Sequence, residues 1–552
     1  MTSFAFRGGL TAVLLMVGLA SVRVQELGTI SFPTSGAAAA QPAFLEGVKA
    51  LHSFQFDDAA DAFRRAQKAD PGFAMAYWGE AMSHNHPLWA QQDRDAARKV
   101  LEKLAPTHEA RLAKAKLAKE KAFFEAMQVL YESPGDKLAR DKAYADFMEG
   151  LYMRWPDDHE VATFYALSLL GTVRPGDTGF RRQALAASVA QKVFVANPKH
   201  PGAAHFIIHA FDDPDHAPLA LNEANLYARI APAAAHALHM PSHIYVQRGM
   251  WQQVVDSNTD AYKAAMATIA RMKLPEGRED FHTLSWLAYG NLMLGRTDDA
   301  AKNLELARQA SERNAGTRAV SNSYLAMRAR HILETGQWEK IALGGAPAAG
   351  SDAHAGMPGM AGMSQSDPGI AWVFIAGYSA AKLGDASGAA AAAERLRSMA
   401  SPQGNEGGAA RYGSKGVTVL EREVAALAEF ARGNKEEAVR IAKEAADIEL
   451  TLDTPSGPPD PMKPALEFYG EMLLDVNKPA EAVAAFEQSL LRTPKRTPSL
   501  LGLARASALS GNVTAARRHY TEIANMPGAS AASPAVREAQ KFLKERTTEA
   551  GR

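Results

Sequence analysis

GVKALHSFQFDDAADAFRRAQKADPGFAMAYWGEAM, residues 47–82, sets the pattern for the rest of the chain. Gly47, Phe56, Ala59, Phe63, Ala66 and Pro71 follow in order, and Tyr77, Trp78 and Ala81 open a second unit behind the proline. Small residues at helical spacing let two helices cross closely, and an aromatic fills the gap to the next unit. The same phase returns far away as Ala482, Phe486 and Pro494, then Ala504, Gly511, Ala516 and Tyr520. Between these ends lie Leu287, Ala288, Gly295 and Ala300, then Gly336 and Trp338, Gly384, and Gly433 with Ala438. Pro198 and Pro232 stand at i and i+34, which gives the period.

From about Phe44 to Met526 the pattern resembles the tetratricopeptide-repeat superfamily. That resemblance implies an all-α solenoid, a right-handed superhelix of two-helix hairpins whose stacking creates the core. Composition agrees. Stretches such as Ala389–Ala393 and Glu421–Ala428 are dense in strong helix formers, and a chain of 552 residues is too long for one compact core.

The phase breaks at residues 87–158, which hold a charged helical stretch (Asp93–Glu125) and further helix around Lys137–Met153. It breaks again at 344–369, a Gly/Ala/Met loop, and at the Pro-rich joint 454–464. The expected organisation is a targeting segment over 1–40, a first array over 41–343, the loop, and a second array over 370–552. Arg7 followed by the apolar run Gly8–Ala20 reads as an export signal, with small residues at Ala20 and at Ala37–Ala40 for cleavage, and a periplasmic destination follows. No later stretch reaches the roughly 18 apolar residues that a membrane span needs.

Charge gives no case for nucleic acid: Lys+Arg and Asp+Glu are both 61. Cysteine is absent, so disulfides, thiolate metal sites and cysteine nucleophiles are excluded, and any metal site must use His, carboxylate or Met.

Seven of the sixteen histidines fall between His200 and His243. His205-Phe-Ile-Ile-His209 and His239-Met-Pro-Ser-His243 each carry an i, i+4 pair, and the two pairs are offset by the same interval as the two prolines. An i, i+4 pair shares one helix face, and equal phases on stacked helices place two faces side by side, so four imidazoles converge. His236 joins one face, and Asp212 prolongs the other. In tetratricopeptide proteins the second, fifth, ninth and twelfth places of a unit line the concave surface. By that resemblance His205, His209, Asp212, His236, His239 and His243 face the groove, with Glu160 and His282 as accessory positions and His84 and His86 near the end of an early groove helix.

Imidazole with carboxylate suits Zn²⁺, Cu²⁺ or Fe²⁺. The alternative is a polar groove for a protein or peptide ligand. A second candidate for copper is the loop His354-Ala-Gly-Met357-Pro-Gly-Met360-Ala-Gly-Met363, where thioethers recur beside a histidine. Ala235–Trp251 resembles a segment of uncharacterised bacterial repeat proteins, which implies no activity. No Gly-x-Ser-x-Gly elbow, phosphate loop, dinucleotide fingerprint or His-Glu-x-x-His motif is present. The expected function is therefore an exported scaffold that holds a transition metal in a His-lined groove, or a metal-dependent hydrolytic or oxidative enzyme using the same groove.

Overall fold

The computed structural model describes residues 26–177, 179–275, 277–314, 317–343, 368–400 and 413–549. Segment 1–25 and the loop bearing His354, Met357, Met360 and Met363 lie outside the described residues.

The fold is all-α, apart from the two-residue strands Asn85–His86 and Gln91–Gln92, which pair antiparallel around Pro87–Trp89. Consecutive helices fold back on one another across short turns. Gln41–His52 and Phe56–Ala69 are joined by residues 53–55, and Ala465–Asp475 and Pro479–Arg492 by residues 476–478. Local chemistry sets many helix starts. Pro201, Pro241 and Pro479 occupy first-turn positions where no intrahelical N–H is needed. The Asp158 carboxylate caps Glu160 and Val161, and the Asn512 side chain caps Ala515.

Close packing of glycine against phenylalanine builds the repeat. Phe63 lies between Gly47 and Gly79, where an added Cβ would fall 2.8 and 2.2 Å from its ring. Phe486 lies between Gly470 and Gly502 in the same way, at 2.9 and 2.3 Å. In both cases the ring of one hairpin fills the notch left by glycines on the helices before and after it. Neither apolar face is covered within a single unit, so the contiguous core runs from Leu27 to Ala300, with a second core from Leu325 to Met472.

Three segments carry detail beyond the repeat pattern. The charged stretch after residue 93 is three helices, Arg94–Leu104, His108–Lys114 and Ala118–Glu132, interrupted near Pro106 and Ala115. Residues 26–34 are in neither helix nor strand, residues 35–40 turn into the first helix, and the segment packs on the body. Phe32 is buried against Phe44, Trp78 and Phe123, and Ser35 donates from its backbone N–H and hydroxyl to Glu120. The Pro-rich stretch near 454–464 packs on earlier helices: Gln247 donates to the Pro455 carbonyl (2.7 Å), Arg330 donates to Pro459 and Met462, and Gly457 sits on the Trp286 ring.

The later repeats also close onto the earlier ones. Buried Arg496 donates to Glu467 (2.8 and 3.1 Å), to Glu334 (2.8 Å) and to the Tyr289 hydroxyl (3.1 Å). Trp251 donates to the Lys495 carbonyl, and Ser530 to that of Leu294. A cavity of about 1020 Å³ lies between residues of the earlier helices, among them Phe54, Trp89 and Trp286, and residues 413–416 and 451–458 of the later part of the chain.

Candidate metal centre

His209, His236, His239, His243 and His282 line that cavity. His209 and the fully buried His205 come from helix Pro201–Ala210. His236 and His239 come from Ala235–His239, and His243 from Pro241–Gln247. Pro241 removes one intrahelical hydrogen bond, but Met240 keeps helical dihedrals (φ −53°, ψ −37°), so His239 and His243 still share a face. His282 opens helix Phe281–Met293, whose N-terminus is capped by Asp280 through the Thr283 N–H.

The spacing of the four paired imidazoles predicts that they meet at one point; the structure divides them instead. Each i, i+4 pair recruits a third histidine from beyond the next helix: His236 lies past Leu221–Ile230 and His282 past Trp251–Met272. His205, His209 and His236 form one set and His239, His243 and His282 another, with the candidate ligand atoms of each set within 4.8 Å of one another. Across the seam the His209 and His243 rings are 5.9 Å apart and His236 and His239 6.1 Å, no wider than the widest ring pairs inside the sets.

Outer hydrogen bonds assign the tautomers. His205 Nδ1–H donates to the His52 carbonyl at 2.7 Å, and His243 Nδ1–H donates to Asp212 Oδ2 at 2.6 Å. His239 Nδ1 meets Asn258 Oδ1 at 2.6 Å. The Asn258 amide nitrogen is committed to the Val254 carbonyl, so its oxygen must accept and His239 Nδ1 carries the proton. His205, His239 and His243 therefore present bare Nε2 lone pairs inward. Nevertheless His239 Nε2 lies 3.0 Å from His243 Nε2, His282 Nε2 lies 2.9 Å from His239 Nε2, and His236 Nε2 lies 3.1 Å from His205 Nε2. Donors 2.0–2.1 Å from a tetrahedral ion stand about 3.3–3.4 Å apart, so these spacings are close to those of a shared cation.

Burial opposes protonation of four of these rings. It lowers His205 to about 3 and pushes His209, His236 and His239 well below the usual histidine range, with neighbouring imidazoles adding to the effect. His209 Nε2 and Asp212 Oδ1 are buried without a hydrogen-bond partner. Aromatic walls enclose the sets: Phe54 is 4.4 Å from the His205 ring, and Trp286 is 4.5 Å from His243 and 5.1 Å from His239.

Glu160 stands apart, in a separate buried trio. It accepts from His52 Nε2 (2.7 Å) and His200 Nε2 (3.2 Å). Burial works to raise its carboxyl, but the two imidazoles override that and hold it at about 2. His200 Nδ1 accepts from the Ala203 N–H, which leaves its Nε2 protonated and unfit to ligate through that atom. This trio braces the first set, because the His52 carbonyl is the acceptor that orients His205. His84 and His86 join neither set; His86 donates to the Ser83 carbonyl and stacks on Phe56 at 4.0 Å. His52, Asn258, Phe54 and Trp286 carry no periodic signal that singles them out in the sequence.

No family model matches the chain, and no curated protein matches it in sequence. Solved structures do. The human IFIT1 dimer with m7Gppp-AAAA is 12% identical over 89% of this chain and 90% of its own, with a TM-score of 0.35. Yeast Tom70 is 11% identical over 93% and 96%, with a TM-score of 0.28. The APC/C hetero-tetramer Cut9-Hcn1 is 12% identical over 94% and 78%, with a TM-score of 0.31. TM-scores this low carry no argument, and the fold rests on features of this chain: glycine–phenylalanine–glycine wedges near both ends, and one phase shared by prolines and histidines. The fold is an all-α solenoid of stacked helical hairpins. Among the described residues of this solenoid, no helix is long and apolar enough to cross a membrane.

Proposed function

We propose that this protein is an exported repeat scaffold whose concave cavity holds transition metal on the two three-histidine sets. The observation that carries the reading is the pair His239 and His243. Both rings have their Nδ1 proton committed outward, so two bare lone pairs face each other at 3.0 Å in a buried site. A metal ion shared by the two lone pairs makes that arrangement favourable. The outward partners, a backbone carbonyl, an amide and a carboxylate, are the kinds that orient metal-bound imidazoles.

Three imidazoles per set leave a coordination position open toward the cavity, as a site that meets a ligand requires. The cavity mouth, bordered by the 451–461 strip, suits an extended peptide or protein segment as partner. The balanced charge argues against a nucleic acid. Export through the Gly8–Ala20 run with cleavage after Ala20 keeps the packed 26–40 segment, whereas cleavage near Gln41 would remove Phe32 from the core.

A thermal-shift titration tests the metal reading. Zn²⁺ or Cu²⁺ should raise the melting temperature and a chelator should lower it, because a ligand bound only by the folded state stabilises it. The His209→Ala/His243→Ala double variant should lose both responses while keeping its helical circular dichroism. A wild-type protein that ignores metal and chelator alike would refute the site.

A further inference from the structure

We propose that the two histidine sets hold a pair of copper ions, loaded as Cu(I), and that the small molecule they bind between them is dioxygen. This rests on the metal reading above and adds the identity of the metal and its substrate.

The ligand set argues first. All six ligand residues are histidines, and none contributes an anionic donor. Paired iron, manganese or magnesium ions lean on carboxylate ligands, and burying two divalent ions on neutral donors leaves four positive charges uncompensated. Two Cu(I) ions halve that charge. Cu(I) is also content with three imidazoles, which keeps a face of each ion available, while Zn²⁺ demands a fourth ligand.

Geometry argues next. The rings that meet across the seam, His209 with His243 at 5.9 Å and His236 with His239 at 6.1 Å, are no farther apart than the widest pair within each set, so a small ligand at the seam reaches both ions. Asp212 Oδ1 is buried beside that seam and lacks a partner, while Oδ2 holds His243. It is placed to accept a proton or hydrogen bond from a reduced oxygen species. Phe54 and Trp286 cover the imidazoles with apolar surface, which disfavours competing water.

The step balances without a further reductant. One electron leaves each Cu(I), giving two Cu(II) and one peroxide dianion; no bond to the protein forms and no oxygen–oxygen bond breaks.

The test uses the whole chain reconstituted under nitrogen with a Cu(I)–acetonitrile salt, then exposed to air. Two copper ions per chain are expected. Oxygenation should bring an intense near-ultraviolet charge-transfer band with no electron paramagnetic resonance signal, because two bridged Cu(II) spins cancel. His209→Ala and His282→Ala should each leave one copper and a visible Cu(II) signal in air. Loading of a single ion in the wild type, or two ions that give uncoupled Cu(II) signals, would overturn the proposal. A parallel Zn²⁺ titration separates the failures. Zinc that raises the melting temperature while copper gives no coupled pair refutes the copper–dioxygen inference alone. Absence of any metal response removes both readings.

Discussion

Asp212→Asn changes one atom and tests the tautomer argument directly. In the native protein the carboxylate can only accept, so it fixes the His243 proton on Nδ1 and leaves Nε2 bare. An amide at this position can turn its NH₂ toward Nδ1, which favours the opposite tautomer with a proton on Nε2, where no metal can bind. The substitution also removes the one negative charge touching this set. Loss of an outer partner of this kind costs about 10–100-fold in metal affinity, which is about 1.4–2.7 kcal/mol. The effect should be confined to the His239/His243/His282 set, because the His205 ring is oriented independently by the His52 carbonyl. Competition against a chromophoric chelator should therefore show two equivalents in the wild type, and in the variant one equivalent of near-native affinity and one weakened. Circular dichroism and apo-protein melting should change little. Two unchanged affinities would refute the assignment of Asp212 as the residue that sets the tautomer.

Three further outcomes follow from the same structure. Phe486→Ala empties the space between Gly470 and Gly502 and should cost about 3–5 kcal/mol, with hydrogen exchange opening the C-terminal units before the N-terminal ones; uniform loss would argue for one cooperative globule. The metal-free protein should lose stability as pH falls below about 6.5. The unfolded chain then takes up protons that His205, held at about 3 by burial, and His209, His236 and His239, also held low, refuse in the folded state, at up to about 1.4 kcal/mol per pH unit for each group. Urea melts between about pH 6.5 and 5, above the carboxylate range, measure this, and a flat midpoint would contradict it. N-terminal sequencing of periplasmic protein should find a chain beginning after Ala20; a start near Gln41 would mean that the packed 26–40 segment is dispensable, and an intact Met1 would remove the export reading.

The solenoid and the two histidine pairs were legible because both obey one period, which links phase in sequence to position on stacked helices. The division into two sets was not. His205 and His236 are 31 residues apart in the chain, whereas His239 and His282 are 43 apart, so the second set is not a shifted copy of the first. The 22-residue helix Trp251–Met272 lies between His243 and His282, and only its folded course brings His282 back to His239. Asn258 projects from that helix at a phase the repeat does not dictate. The His52 carbonyl is a backbone group at a helix end, invisible to any side-chain motif. Residues 26–40 carry no helical period, so the burial of Leu27, Phe32 and Ala40 was equally unreadable.

Elemental analysis of protein purified, without added metal or chelator, from the compartment where it resides bears most directly on the reading of this cavity as a metal site. Two sets of three inward-facing imidazoles predict close to two transition-metal ions per chain, falling to at most one when His243 is replaced by Ala. Wild-type protein that carries none, and that takes up neither zinc nor copper on dialysis against them, would contradict it.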